Sequence, residues 1–574
     1  MKISANTLYR NLIAKENRPL LAILIIAFII YITGIHWGLP EAASAESVSP
    51  WALDAIAPVA PLNEAYHKFS RSGNEWVTYP LFHYIVLDVF YTPYVGLQYL
   101  SGNFDSPSSS FPYGIKDPKS FLQDLTLIAR LVSLAMALGI IIIFYKITRE
   151  LFSRQAGWWA ALFIMLIAPI SYYAKTSNLD VPYLFWVSLS VWQYVLLAKY
   201  NRIRHFVLFG VFGALAIATK DQAYGFYVLI PFIIVYAVYM HRKAEDASQY
   251  GYLKAVVSLP VIYTGIATVV TYALANNLLF GGLDGFLRHM DLGSKLYDNR
   301  FTIHGDPHSL ANQLQLLIES GSIVIQSIGV ALPALSLTGI YIAFKKRLWL
   351  ALSILVFSIS YFIFVIAAWN GVFSRYLLMS LFILTPFAGF ACTQLLAMEK
   401  MKLNIGRVLI LTTIVWQSIL IFDINYSLLF DSRYSIATWV KQNVPQGTTI
   451  EAQVDPTYLP HLIADYDIQV VGNSDTEISA EVVPELLNAE SLNKRRPPYI
   501  LILKGLGVTG DPDTTSDVPA LEEYYNALLE EKLGYRVIAR FATPYIVPYR
   551  QIPGTRPESI LLARNNGPDL KDSQ

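Results

Sequence analysis

The residues of this chain that could do chemistry are the ionisable ones in or beside long apolar runs. A charge is costly to keep at membrane depth, so such residues point to function by default. Glu41, Glu46, Asp54, His83, Asp88, Lys175, Asp180, Lys220, Asp221, Arg288, His289, Asp291 and Arg375 form such a set. A carboxylate is the residue type that takes a proton from an attacking hydroxyl. Lysine and arginine are the types that hold an anionic phosphate. Both kinds together suit transfer of a sugar from a lipid phosphate to a hydroxyl, with aromatic residues lining a groove for the lipid tail.

The elements that must position these residues are apolar helices. About 20 apolar residues are needed to cross roughly 30 Å of hydrocarbon. The first such run, Pro19 to Leu39, is too long and too late for a cleaved signal peptide. Further runs lie at about 127–147, 156–174, 181–198, 205–219, 222–240, 255–279, 322–344, 348–368, 376–396 and 407–425. Hydropathy thus predicts about eleven spans. Lys2, Arg10, Lys15 and Arg18 precede the first run, and every second loop afterwards is basic, as in Lys199, Arg202 and Arg204 or Lys345, Lys346 and Arg347. By the positive-inside rule the N-terminus is cytoplasmic and the C-terminus lies outside. Under that topology the ionisable set gathers at the outer ends of spans and in two outer loops, about 40–126 and 280–321. A one-sided set implies an active cavity opening outward at the level of the lipid headgroups.

Composition agrees. Hydrophobic residues make up 54% of the 574 and charged ones only 15%, against about 25% in a typical soluble chain. An ordinary cytosolic enzyme and a disordered chain are both poor fits. With 43 basic and 42 acidic residues the net charge is +1, so no basic field draws nucleic acid. The single cysteine, Cys392, rules out a disulfide framework and a Cys-based zinc cluster. From about 430 the pattern changes. Tyr434–Val444 and Ala520–Lys532 read as helices; Thr448–Val454, Asp467–Val471, Tyr499–Lys504, Arg536–Phe541 and Ile560–Ala563 read as short strands. The expected fold is therefore an α-helical polytopic membrane protein over 1–429 with a small extracytoplasmic α/β domain over 430–574. The stretch from Tyr79 to Leu100 is expected to lie at the interface, because counting it as a span would invert every later loop.

Four stretches resemble, in order, the GT-C integral membrane glycosyltransferases, in particular the branch of protein O-mannosyltransferases and the lipid A aminoarabinose transferase. The first is Trp37-Gly-Leu-Pro40 followed by Ser49-Pro-Trp51-Ala-Leu-Asp54. The second is Tyr79-Pro80-Leu-Phe-His83-Tyr84. The third is Ile128-Ala-Arg130 with Ser177-Asn-Leu-Asp180-Val-Pro182. The fourth is Ala218-Thr-Lys220 with Ser374-Arg375-Tyr376. Together they cover about residues 19–396.

The resemblance implies roles. Asp54 is the nearest match to the carboxylate base of the first outer loop. The family often shows an Asp-Glu pair there, whereas Ala55 follows Asp54, so Glu46 and Glu41 stay as rivals. Asp180 matches an acidic residue that shapes the acceptor or metal site. Lys220 and Arg375 match basic residues near the lipid phosphate, and Arg130 matches a span-opening arginine. His83, Arg288, His289 and Asp291 are secondary candidates for acceptor contact. Each has a plainer reading: Asp180 as a helix cap, Lys220 and Arg375 as cations reaching for the headgroups, His83 as a structural histidine, Lys175 as an interfacial anchor. The implied partners are the bilayer, a polyprenyl-phosphate sugar donor and a lipid, glycan or protein acceptor, with no nucleic acid. The sequence requires no cofactor and leaves a divalent metal open. The expected location is the plasma membrane, and the expected reaction is a single inverting displacement. The alternatives are a transporter or flippase of lipid-linked sugars and a non-catalytic scaffold. The α/β domain is expected to orient the acceptor or a partner.

Overall fold

The computed structural model describes residues 17–64, 79–106, 108, 110–245, 251–278, 286–287, 289–291, 309–398, 403–471, 483–506, 519–547 and 555–565. The chain divides into two units. One holds Met1–Thr33, Ala60–Phe90 and Arg130–Phe422; the other holds Gly34–Val59, Tyr91–Ala129 and Asp423–Gln574.

Among the described residues, seven helices are long and apolar enough to cross a membrane: Pro118–Leu151, Asp180–Tyr200, Asp221–Ala244, Tyr252–Ala275, Trp349–Ala367, Ser374–Leu396 and Ile405–Asn443. An eighth is counted if Leu310–Ile328 and Ala331–Lys345 are one span, bent by 108°. The sequence predicts about eleven, and the difference has local causes. Arg18–Ile32 and Ile203–Ile217 are apolar but only 15 residues each, about 22 Å at 1.5 Å per residue. The run at 156–174 is split into Arg154–Met165 and Ala168–Tyr173, with Pro169 opening the second piece. The run at 322–344 is broken at Gly329, whose φ of +66° ends one helix before Ala331 starts the next. A Cβ on Gly329 would lie 2.3 Å from the Trp416 ring, so glycine is needed there for both space and backbone angle. Phe82–Leu100 is a helix of 19 residues, not among those apolar enough to span.

Within the first unit, Ser374–Leu396 packs against Arg154–Met165 and Ala331–Lys345. Its residues from Tyr376 to Met379 and Thr385 to Cys392 are buried, which is why it is apolar on every side. Leu259–Ala275 has the opposite character: it packs on Ile203–Ile217 and leaves Ile266, Val269 and Leu274 exposed. Such a face suits hydrocarbon rather than water.

The second unit contains a five-stranded sheet in the order β2-β1-β3-β5-β4. The strands are β1 Thr449–Gln453, β2 Asp467–Val470, β3 Tyr499–Lys504, β4 Tyr535–Phe541 and β5 Glu558–Arg564. β1 runs parallel to β2 and β3; β5 runs antiparallel to β3 and β4. Tyr499, Leu501 and Leu503 join a core on one face with Ile436 and Val440 of the Ser432–Asn443 helix. Ile500 and Ile502 join a second core with Leu521, Tyr524 and Leu528 of the Pro519–Leu529 helix. A strand covered on both faces reads as a continuous apolar run, as Tyr499–Leu503 does. Glu451 on β1 is 2% exposed, and its charge is met by Arg495, at 2.7 Å and 3.1 Å.

Candidate active site

In the first unit, three of the family-like stretches converge. The Phe82 amide donates to the Ala218 carbonyl at 3.1 Å. Leu81 donates its amide to Asn276 Oδ1 at 3.2 Å. The Phe82 ring meets Trp186, with centroids 5.6 Å apart. The Tyr79-Pro-Leu-Phe segment, the start of the Asp180–Tyr200 helix and the Ala218-Thr-Lys220 turn are thereby held together.

At their meeting point Lys220 Nζ donates to Asp180 Oδ1 at 2.9 Å, and both side chains are almost fully buried. Asp180 is the first residue of its helix, but Leu179 occupies the cap position and no side-chain cap bond forms. The carboxylate turns to Lys220 instead, and no hydrogen bond from the described residues reaches Asp180 Oδ2. Lys220 lies over the Tyr183 ring at 5.5 Å; at 5% exposure it is sequestered and does not reach for headgroups. Buried charges of this kind are stable only as pairs.

Arg375 is the second residue of Ser374–Leu396 and lies over the rings of Phe373 and Tyr376 at 5.3 and 5.5 Å. Gln222 Nε2 donates to the Tyr376 hydroxyl at 3.2 Å. Tyr361 is within electrostatic reach of Asp180, Tyr183, Tyr376 and Arg375. Asp180, Lys220 and Arg375, distant in sequence, thus share one polar, aromatic-walled neighbourhood. Two cations beside buried tyrosine hydroxyls can hold an oxyanion such as a phosphate.

Two more residues of this unit extend the neighbourhood along the chain. His289 Nε2 and Asp221 Oδ2 are 2.7 Å apart, with His289 buried and Asp221 part-exposed. Asp291 is exposed, and Arg288 lies outside the described residues. His83 is 2% exposed and Arg130 is fully buried. Lys175 differs from the interfacial anchor expected of it. It is buried and donates to the carbonyls of Ile30 and Thr33, at 3.1 and 2.7 Å, at the end of the Arg18–Ile32 helix. Carbonyls at a helix C-terminus lack intrahelical partners and attract a cation. Among the described residues no three His, Cys, Asp or Glu side chains converge to hold a metal ion.

The first-loop carboxylates belong to the second unit. Asp54 is exposed and has a φ of +57°, a left-handed conformation that Asp tolerates better than most residues. Glu46 is also exposed. Glu41 is buried, and its two oxygens accept from the amides of Ile463 and Ala464, both at 3.2 Å. Burial pushes its carboxyl above the usual range, and the two amide bonds oppose that rise.

Tyr183, Gln222 and Tyr361 are parts of this site that sequence reading passes over, and Tyr376 stands in the fourth family-like stretch without being given a role. Gln222 follows Lys220 and Asp221 directly, and that polar triplet between two apolar runs is a usable signal. The tyrosines give none, because the chain has 37 of them.

The segment 121–267 matches the family of dolichyl-phosphate-mannose-protein mannosyltransferases. No curated protein matches the chain. Among solved structures, it is similar to the oligosaccharyltransferase of Archaeoglobus fulgidus in complex with zinc and sulfate. The identity is 12%, the TM-score 0.43, and the match covers 90% of this chain and 78% of that one. It is also similar to ArnT from Cupriavidus metallidurans, in the apo state and bound to undecaprenyl phosphate. Both are 13% identical, with TM-scores of 0.43 and 0.44, covering 94% of this chain and 97% of theirs. The matched segment contains Arg130, Asp180, Lys220 and Asp221, and over it the chain resembles the dolichyl-phosphate-mannose-protein mannosyltransferases, in line with the GT-C resemblance carried by its sequence motifs.

Proposed function

We propose that the protein is a membrane glycosyltransferase that moves a sugar from a polyprenyl-phosphate donor to a hydroxyl of a lipid, glycan or protein at the outer face of the membrane. The observation that carries this reading is the buried Asp180–Lys220 pair, with Asp180 and Arg375 both within electrostatic reach of Tyr361. Asp180 and Lys220 lie inside the segment that matches a family named for a dolichyl-phosphate-mannose donor and a protein acceptor.

The proposed step is one displacement with inversion. The acceptor oxygen bonds to the anomeric carbon as the bond from that carbon to the phosphate oxygen breaks. Polyprenyl phosphate leaves with the electron pair, and Lys220 and Arg375 stabilise its charge. Asp54 takes the acceptor proton. Of its rivals, Glu41 already spends both oxygens on backbone amides, so Glu46 is the stronger second choice.

A single-turnover assay on the purified protein in lipid, with a panel of polyprenyl-phosphate sugars, tests this. Wild type is expected to release polyprenyl phosphate. Arg375→Ala is expected to slow release about 10²–10³-fold, the usual loss of one donor to a developing oxyanion. Asp54→Asn is expected to bind donor and not turn over. Cleavage surviving in Asp54→Asn moves the base to Glu46. A transporter of lipid-linked sugars is the competing reading, favoured by the 108° break between Leu310–Ile328 and Ala331–Lys345, since broken helices mark transport sites. Donor binding without cleavage by any sugar supports it.

A further inference from the structure

The second unit holds a buried cluster that the proposed reaction leaves without a task. Arg433 and Asp431 form an ion pair with both side chains fully buried; Nε–Oδ1 is 2.9 Å and Nη2–Oδ2 is 2.7 Å. They sit at the start of the Ser432–Asn443 helix of the α/β domain. Contacts from this cluster reach the first outer loop. Trp37 Nε1 donates to Asp431 Oδ2 at 2.9 Å. The Arg433 guanidinium lies 4.0 Å from the Trp51 ring and 5.5 Å from that of Trp37. The Gly38 amide donates to the Tyr434 hydroxyl at 2.8 Å. Trp51 Nε1 donates to the Leu459 carbonyl at 2.9 Å, and its ring meets those of Tyr434 and His461, both at 5.0 Å.

The loop itself is built for this seat. The Trp51 amide donates to the Gly38 carbonyl at 3.0 Å, closing the loop on itself. Gly38 has a φ of +55°, and a Cβ there would lie 2.5 Å from that of Trp51. Trp51 and Ala52 are each 3% exposed, and Leu53 packs on the core of the sheet. The next residue is Asp54, exposed and left-handed. Three packed residues therefore lead directly into the exposed carboxylate of Asp54. Burying an ion pair brings little net stability compared with apolar packing, so its return here is geometric. Catalytic groups need their backbone fixed to about 0.5 Å.

We propose that the α/β domain is a clamp for the catalytic loop: Asp431, Arg433 and Tyr434 are positioning residues that fix Trp37–Leu53 and so set where the Asp54 carboxylate stands. This rests on the assignment of Asp54 as the base. It gives the fused domain a part in the reaction that requires no ligand of its own.

The test uses the full-length protein in lipid nanodiscs. Hydrogen exchange is followed over residues 34–54 and over β3 and β5, together with kcat, donor KM and donor Kd. Tyr434→Phe keeps the ring and removes the acceptor of the Gly38 amide; Arg433→Ala removes the centre of the cluster. Tyr434→Phe is expected to speed exchange over 34–54 about tenfold and to lower kcat about tenfold. Donor KM, donor Kd and exchange in the sheet stay at wild-type values. Arg433→Ala is expected to do the same more strongly; if it also opens the sheet, Tyr434→Phe decides. Unchanged exchange over 34–54 in both variants overturns the clamp. Faster exchange with unchanged kcat overturns its positioning role. A wild type that cleaves no donor sinks the transferase reading instead, and does so before any variant is compared.

Discussion

Lys220 is buried where water has little access, and its ammonium group meets a single oxygen of Asp180. Removing one partner of such a pair strands the other, at a cost of about 3–5 kcal/mol, whereas removing both is far milder. Lys220→Met and Asp180→Asn are each expected to lower the thermal midpoint in detergent, and the double variant to lose less than their sum. Additive losses would mean the two do not act as a pair. His461 supplies a second residue-scale expectation. Burial pulls its pKa from 6.5 down to about 4, and Lys119, Lys441 and Arg433 push the same way. A depressed pKa gives stability that is full above 6.5 and is lost as pH falls through about 4. Hydrogen exchange over 34–54 should therefore speed up between pH 6.5 and 4, after correction for intrinsic rates, and His461→Gln should flatten that response. Legibility at this scale follows contrast. Asp180, Lys220 and Arg375 stand out as charges against apolar runs, while Tyr361 sits in a run of Ser, Ile, Phe and Val and carries no mark.

At the scale of elements, the short strands were legible to within about two residues; in β3 and β5 this is because burial on both faces leaves an apolar run in the sequence. The bend at Gly329 was not, because hydropathy averaged across 322–344 passes over one residue's backbone angle. That residue carries the next prediction. Gly329→Ala must hold φ at +66° and place a methyl carbon 2.3 Å from Trp416. The backbone term alone is about 1–3 kcal/mol for a residue in a sparsely populated region, and the clash adds to it. The variant should melt earlier than wild type in the same detergent. Pairing it with Trp416→Ala should recover the part due to the clash and leave the backbone part. No recovery would show that the ring has room to move. The aromatic stretch from Tyr79 is a mixed case. Its helix begins at Phe82, and its first turn is seated by hydrogen bonds to Ala218 and Asn276 that no periodicity announces.

At the scale of the whole molecule, the distribution of charge is the sequence feature with the widest reach. Lys146, Arg149 and Arg154, Lys199, Arg202 and Arg204, and Lys345, Lys346 and Arg347 fall in alternate loops, and basic loops stay on the cytoplasmic side. On that rule the α/β domain is expected outside, where an acceptor could meet the loop that the domain is proposed to hold. The sole cysteine, Cys392, is fully buried in Ser374–Leu396, so an introduced thiol can be read against a silent background. Glu490 is a suitable outer probe. Its side chain is 80% exposed and pairs with Lys494, three-quarters exposed itself, a surface contact worth little. Lys345, at the end of Ala331–Lys345 and exposed, is a suitable inner one. In sealed, right-side-out vesicles a membrane-impermeant maleimide should label Glu490→Cys and spare both Lys345→Cys and wild type. Lysis should expose Lys345→Cys and leave wild type unlabelled. Labelling in the reverse order would put the domain on the cytoplasmic side, and with it Asp54, which belongs to the same unit. The donor would then have to be presented from the cytoplasm, and the outward-facing reaction proposed for this protein would fall with the topology.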